Sequence, residues 1–320
     1  ADLGGRMPRK VIIDCDMGVD DAVALCMTLF DSRLEVLAVT ATEGCVSADQ
    51  ANSNLQAIVT ELDPARYPRL GIARSTEDAP PVDTRFLYGD DGLGNAGFES
   101  SHRQRAVAAD KLMSELIRAN PEEVTILCLG PITNLARATR RDPTLLPLID
   151  QIIMTGGSLS GRGNITPCAE FNFYFDPSST REIIKSRSTK TLIPLDVTRE
   201  VQFGYSCMEE LPASTSRVGY FLRQILPYTF RSHRQQLGEE VITLNDAVGA
   251  LALLEPELFN YRPLACDVET EGELTRGMLV IDDRNQPEWR SALTVADSLP
   301  SERARQFILD QLAVAGNQTA

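Results

Sequence analysis

An open α/β fold, with a mostly parallel sheet and helices on both of its faces, is predicted by three features of this sequence. Short β-branched runs alternate with longer helical stretches through the first two-thirds of the chain. The strongest of these runs, Val11-Ile12-Ile13 and the segment 124–129, are too short for helices and read as buried strands. Four carboxylates, Asp14, Asp16, Asp20 and Asp21, follow the first run directly. They fall at the end of a strand and in the first turn of a helix, which is where open α/β sheets place their ligands.

The elements follow in order. Residues 11–13 form the first strand, Gly18 marks the turn, and residues 22–30 read as an apolar helix. Residues 34–40 are the second strand. A helix over 47–61 follows, with Ser47 suited to cap it. Residues 70–73 predict a short third strand. The stretch 74–105 is rich in Pro, Gly and Asp and reads as a long loop, a kind of segment that compact domains reserve for function or motion. Residues 106–119 are helical, 124–129 are a strand that Gly130-Pro131 breaks, and 134–140 start the next helix. Residues 151–155 form a strand ending in Gly156-Gly157. A Gly- and Asn-containing loop runs to Asp176-Pro177, and a helix continues to about residue 186. Residues 191–195 are strand-like, 216–236 a long helix, and 247–254 an apolar helix after Asn245-Asp246. After Pro263 the pattern changes to short strands with turns, and the last helix covers 301–313.

Composition narrows the function classes. The 320 residues suffice for one large α/β domain, and no linker divides them, so the expectation is a single domain over residues 1–320. Residues 1–6, polar and Gly-rich, read as an appended or unstructured leader ahead of Met7. A net charge of −14 argues against nucleic acid or an anionic membrane as partner. No apolar run approaches a membrane span. Seven cysteines without metal or disulfide spacing point to free thiols in a reducing cytoplasm.

The acidic stretch carries the chemistry. Asp20 and Asp21 could simply cap the helix. Capping does not account for Asp14 and Asp16 as well. Crowded carboxylates repel one another unless a cation lies among them, and a hard, oxygen-seeking Ca²⁺ or Mg²⁺ is the natural candidate. Three other stretches fall at strand ends or helix starts. They are Leu129-Gly130-Pro131-Ile132-Thr133-Asn134, the run from Gly163-Asn164 through Glu170-Phe171-Asn172, and Asn245-Asp246.

Together these motifs resemble the nucleoside hydrolase family, the inosine-uridine type and its relatives. The resemblance extends from about Lys10 to the helix after Asp246. It implies a Rossmann-like sheet, and hydrolysis of the N-glycosidic bond of ribonucleosides to ribose and free base. It also implies a tightly bound Ca²⁺ and assembly as homodimers or homotetramers. Residue by residue, Asp16 matches the general base that also touches calcium. Asp21 and Asp246 match metal ligands, as does the backbone carbonyl of Leu129. Asp20, Asn164, Glu170 and Asn172 match groups that hold the ribose hydroxyls, and Asp14 matches an acid behind the site that orients its neighbours. The residue types suit the chemistry, because breaking the sugar–base bond builds positive charge on the ribose ring. Four residues have simpler readings: Asn164 as a left-handed turn residue, Glu170 and Asn172 as the polar face of a strand, and Asp246 as a helix cap.

The sequence also departs from the pattern. Asn245 stands where many members have a histidine able to protonate the leaving base, Cys45 follows Gly44 where an asparagine is common, and Tyr88 precedes Gly89 where histidine is common. The proton donor is therefore unassigned. His233 and His102 are the only histidines, His233 reads as a surface residue, and Tyr88, Tyr228 and Arg231 are further candidates. Trp289, the one tryptophan, lies beyond the stretch that carries the resemblance, so no aromatic sandwich around the base is evident. Two rival readings remain. One is a ribosyl-ligand binding protein that has lost turnover. The other is a phosphatase similar to the haloacid dehalogenases, with Asp14 as nucleophile and Mg²⁺ as cofactor.

Overall fold

The computed structural model describes residues 7–99, 107–289 and 292–320. The chain opens with β1 (Arg9–Cys15), α1 (Val19–Thr28), β2 (Leu34–Ala41), α2 (Ala48–Leu62) and β3 (Arg69–Ile72). After α3 (Arg85–Tyr88) come β4 (Val107–Ala108), α4 (Ala109–Ala119), β5 (Val124–Cys128), α5 (Thr133–Arg141) and β6 (Ile149–Thr155). Two helices, α6 (Phe171–Phe175) and α7 (Pro177–Lys185), lead to β7 (Lys190–Ile193), α8 (Leu195–Thr198) and β8 (Gln202–Gly204). Then follow α9 (Arg217–Ser232), β9 (Val241–Thr243), α10 (Asn245–Leu254), β10 (Asn260–Val268), β11 (Leu279–Ile281), β12 (Ala292–Ser298) and α11 (Ser301–Gln318).

Ten of the strands form one sheet in the order β11-β10-β12-β7-β6-β5-β1-β2-β3-β4. Every pairing from β12 to β4 is parallel, and only β10 runs antiparallel to its neighbours β12 and β11. The α/β expectation of a mostly parallel sheet is borne out. Strand β1 shows why its residues belong at the centre. Alternate side chains point to opposite faces. Val11, Ile13 and Cys15 enter a core shared with α1, α2, α9, α10 and α11, while Ile12 enters the core beneath α4, α5 and α7. Both faces are covered, so the run is apolar throughout rather than alternating.

The sheet also fixes where a ligand can bind. From β1 the chain winds outward through β2, β3 and β4, then returns to β5 on the other side of β1 and winds away through β6 and β7. The order reverses between β1 and β5, and the crevice beyond their carboxyl ends is the switch point of the fold.

Several boundaries differ from the sequence reading for identifiable reasons. The expected loop 74–105 contains the single-turn helix α3, and its last residues lie outside the described ones, as do Ala106, His102 and the leader 1–6. The long helix ends at Ser232 and continues as one wider π turn over His233–Leu237. Strand β10 begins at Asn260 and runs through Pro263, ahead of the point after which the sequence reading places short strands. At that position β12 pairs one side of β10, and β11 pairs only Cys266 to Val268, so the missing N–H of Pro263 faces no partner. The last helix extends to Gln318. Among the described residues no helix is long and apolar enough to cross a membrane.

Candidate active site

The turn from β1 into α1 aims the carboxylates. Met17, not Gly18, takes the left-handed backbone, with φ 63°. That conformation costs a non-glycine residue about 1 kcal/mol. It is held by the Asn54 amide, which donates to Met17 O at 3.0 Å and to Asp91 O at 2.7 Å. Gly18 gives space instead: a Cβ there would lie 3.0 Å from Cys45 Sγ and press on that thiol.

Asp21 does cap α1, since its Oδ2 accepts from Gly18 N at 2.9 Å. Capping uses only half of the carboxylate. Asp21 Oδ1 is buried without a partner, in a residue with no exposed surface. Carboxylate oxygens of Asp20, Asp21 and Asp246 lie within 4.8 Å of one another, and those of Asp16 and Asp21 lie within the same distance of Cys45 Sγ. Two full charges that far apart repel by roughly 3 kcal/mol at an effective dielectric constant of ~20. Burial and mutual repulsion therefore push the carboxyls of Asp21 and Asp246 well above the usual range, and burial beside Asp16 pushes Asp20 up to about 6. Such a cluster holds either protons or a divalent cation. The donor set, hard carboxylate oxygens with one orphaned and buried, fits a cation.

Asp246 reaches this cluster from the start of α10, which packs against α1. Its Oδ1 accepts from Thr155 Oγ1 at 3.4 Å. The Leu129 carbonyl lines the same cavity, but it already accepts from Asn172 Nδ2 at 2.9 Å and Thr155 Oγ1 at 3.2 Å. The Thr155 hydroxyl has one proton to give either to this carbonyl or to Asp246 Oδ1, so the carbonyl keeps a lone pair for a metal when Thr155 turns to Asp246. Asp16 accepts from Cys45 N at 2.9 Å.

Asp14 lies behind the cluster. Its Oδ1 accepts from Thr40 Oγ1 at 2.6 Å and Asn134 Nδ2 at 2.8 Å, its Oδ2 has no partner, and burial pushes its carboxyl up to about 7. It has no exposed surface and does not line the cavity, so it is not placed to attack a phosphate ester. Asn134 also donates to Ala41 O at 2.8 Å, and so ties β1, β2 and α5 together. Thr40 and Asn134 were not singled out from the sequence. The one signal was the place of Asn134 in the Leu129–Asn134 motif.

The strand reading of Glu170 and Asn172 is wrong. Glu170 caps the short helix α6, accepting from Asn172 N at 3.0 Å and Phe173 N at 3.2 Å, and from Gly157 N at 3.1 Å. Burial outweighs these bonds and pushes its carboxyl up to about 7. Asn164 is not in the left-handed region. Its Oδ1 accepts from Phe171 N at 2.8 Å, which leaves its amide N–H groups unused by that bond.

These residues line one cavity of about 170 Å³, whose wall includes Asp16, Asp20, Asn164, Glu170, Asn172 and Asp246. Phe86, Tyr88 and Phe171 also line it, an aromatic contribution that the sequence reading missed. Of the four candidate proton donors among the described residues, only Tyr88 does so. His233 is buried rather than on the surface, its Nδ1 donates to Thr229 O at 2.8 Å, and its ring stands 6.0 Å from that of Tyr88. Arg231 stacks over Tyr228, away from the cavity wall.

The model of the inosine-uridine preferring nucleoside hydrolase family matches residues 11–306. The chain belongs to that family. It is a nucleoside hydrolase, an N-glycosidase. The match runs past the stretch in which the resemblance was read, so Trp289 falls inside it, but this residue does not line the cavity. The chain is 34% identical over 278 residues to the pyrimidine-specific ribonucleoside hydrolase RihA of Shewanella baltica strain OS185, covering 86% of this chain and 87% of that one. RihA of Citrobacter koseri is 33% identical over 86% of this chain and 89% of its own. Among solved structures, a plant nucleoside hydrolase, PpNRh1, superposes with a TM-score of 0.88 at 28% identity, over 96% of this chain and 99% of that one. The purine-preferring ribonucleoside hydrolase of Gardnerella vaginalis shares the fold, with a TM-score of 0.88 at 24% identity and coverage of 97% and 100%.

Proposed function

We propose that this nucleoside hydrolase cleaves ribonucleosides in a calcium-dependent reaction, with Asp16 as general base. The observation that carries the reading is the meeting of Asp20 and Asp21 with Asp246, from opposite ends of the chain, beside an orphaned carboxylate oxygen. Asp16, Asp21, Asp246 and the Leu129 carbonyl would hold the ion. A bound Ca²⁺ supplies charge that offsets the carboxylates, orients a sugar diol and makes a nearby water more acidic. Asp20, Asn164, Glu170 and Asn172 bind the ribose hydroxyls, and Asp14 orients the strand end behind them.

In the reaction a water oxygen bonds to the anomeric carbon while Asp16 takes its proton. The carbon–nitrogen bond breaks, and its electron pair leaves with the base. The surrounding carboxylates stabilise the positive charge that builds on the ring. The departing nitrogen takes a proton, and Tyr88 is the donor we assign, as the one candidate on the cavity wall. The cavity's carboxylates suit a small polar ligand rather than nucleic acid, and seven unpaired thiols suit a reducing cytoplasm. The family resemblance supports a homodimer or homotetramer, which light scattering reads directly.

The test is a panel of purine and pyrimidine ribonucleosides, with and without a chelator, scored for reducing sugar. Release that chelation stops and Ca²⁺ restores supports the reading. Tight binding of a nucleoside without release would favour the rival reading of a binding protein instead.

A further inference from the structure

Cys45 gives the acidic cluster a second character. Its Sγ lies within 4.8 Å of carboxylate oxygens of both Asp16 and Asp21, and donates to Asp16 O at 3.4 Å. The Gly18 backbone leaves it room. The neighbouring Asp21 Oδ1 is fully buried and has no partner. The cluster thus has two overlapping poles. Asp20, Asp21 and Asp246 offer only oxygen. Asp16, Asp21 and Cys45 offer two oxygens and a sulfur.

Cations sort between such poles by softness and coordination number. Calcium takes six to eight oxygens and gains little from sulfur. Zinc and cadmium favour thiolate and are satisfied by three or four ligands. With metal–sulfur and metal–oxygen distances of about 2.3 and 2.0 Å, ligand atoms in a tetrahedral site stand roughly 3.5 Å apart. The three atoms here already lie within 4.8 Å, so a shift of about an ångström closes the site.

Building on the metal-dependent reading of this pocket, we infer that Asp16, Asp21 and Cys45 form a site for a thiophilic divalent cation, Zn²⁺ or Cd²⁺, overlapping the calcium site. Binding replaces the S–H bond of Cys45 with a sulfur–metal bond and releases the proton to solvent. It also occupies the carboxylate assigned to take the water's proton. A thiophilic cation therefore inhibits the hydrolase, in competition with Ca²⁺.

The experiment titrates metal-stripped protein with Cd²⁺ and follows the ultraviolet thiolate-to-cadmium charge-transfer band. One equivalent should raise the band, and excess Ca²⁺ should remove it. Cys45→Ser should abolish it and weaken Cd²⁺ binding by about tenfold or more, at least the loss that outer partners of a metal cause. Ca²⁺ affinity should stay within about threefold, because calcium does not use the sulfur. Cys168→Ser, which removes the other half-buried thiol, should keep the band. A melting curve for each variant shows whether it folds, and Cys45→Ala serves if the serine variant does not. A wild-type protein that binds Cd²⁺ without the band, or a band that survives loss of Cys45, overturns the inference. Its failure is separable from failure of the calcium reading, which Ca²⁺-stimulated ribose release by the wild type reports independently.

Discussion

Replacing Glu170 with glutamine should change the slope of stability with pH, and the structure gives both sign and size. Glu170 accepts three backbone N–H bonds, yet burial raises its carboxyl from the ordinary 4.5 to about 7. The folded protein then holds this proton more tightly than the unfolded chain does. The stability it contributes is fully present below pH 4.5 and is lost as pH rises through 7. The rise from 4.5 to about 7 corresponds to about 3 kcal/mol, at 1.36 kcal/mol for each tenfold change in proton affinity. The Glu170→Gln variant has no proton to lose. Measured by urea unfolding of chelated protein from pH 5 to 8, its stability relative to wild type should rise with pH by up to about 3 kcal/mol. Glutamine also presents its amide N–H to one of the three backbone N–H donors, a constant penalty that moves the whole curve without tilting it. Asp14 and Asp20 titrate in both proteins and cancel in the difference. Parallel curves for the two proteins across this range would refute the reasoning, since they would mean that Glu170 is ionised throughout. Assayed at pH 8, where the carboxyl has lost its proton, the variant should nonetheless lose activity, by roughly 10- to 100-fold in kcat/KM, the worth of one hydrogen bond to a charged group.

Asp16→Asn should lower ribose release by about 10² to 10⁴, the usual worth of a general base, while circular dichroism stays that of the wild type; activity near wild type would remove Asp16 from its role. Chelating the metal should lower the melting temperature more at pH 8 than at pH 5.5. At the lower pH, protons on Asp14 and Asp20, whose carboxyls lie at about 7 and 6, take over part of the cation's work; equal shifts at both pH values would count against this. Tyr88→Phe should slow hydrolysis of a nucleoside by about 100-fold and leave a 4-nitrophenyl riboside, whose leaving group needs no proton, nearly unaffected. Equal slowing of both substrates would give Tyr88 a merely structural part.

The parts of this molecule legible in the sequence are those whose cause is local. Val11, Ile12 and Ile13 are β-branched and continuous because both faces of β1 are covered, and the run says so unaided. Asp14, Asp16, Asp20 and Asp21 stand out because four acids at one strand end exceed what a cap needs. Where two causes share one residue, the sequence could not divide them: Asp21 caps α1 with Oδ2 and leaves Oδ1 without a partner, so the cap it was read as does not use up the carboxylate. Glu170 and Asn172 misled because alternation with Phe171 and Phe173 over four residues fits a strand as well as one helical turn, and only the capping bonds decide between them. His233 misled because a polar residue near the end of a helix usually meets water; the π turn carries it back under Tyr88. The aromatic lining by Phe86 and Phe171 had no signal at all, since it depends on how α3 and α6 fall over the sheet.

The convergence of chain ends on one site follows from packing rather than from any attraction between acids, which repel. Helix α10 is apolar on all sides beyond its first turn and buried, so burial of its Val248 and three leucine side chains, each worth roughly 2 kcal/mol, drives it into the core wherever its first turn lands. Gly249 lets it come close: a Cβ there would press on Thr155 and stand 2.8 Å from Leu129 Cδ2. With the helix seated at the ends of β5 and β6, Asp246 has nowhere to go but beside Asp20 and Asp21. The hydrophobic core thus holds together charges that would otherwise separate, and the orphaned oxygen of Asp21 and the raised carboxyls of Asp21 and Asp246 are what that confinement leaves behind. On the proposed reading a cation held there would relieve both, so the confinement that strains the metal-free protein would also make the ion bind.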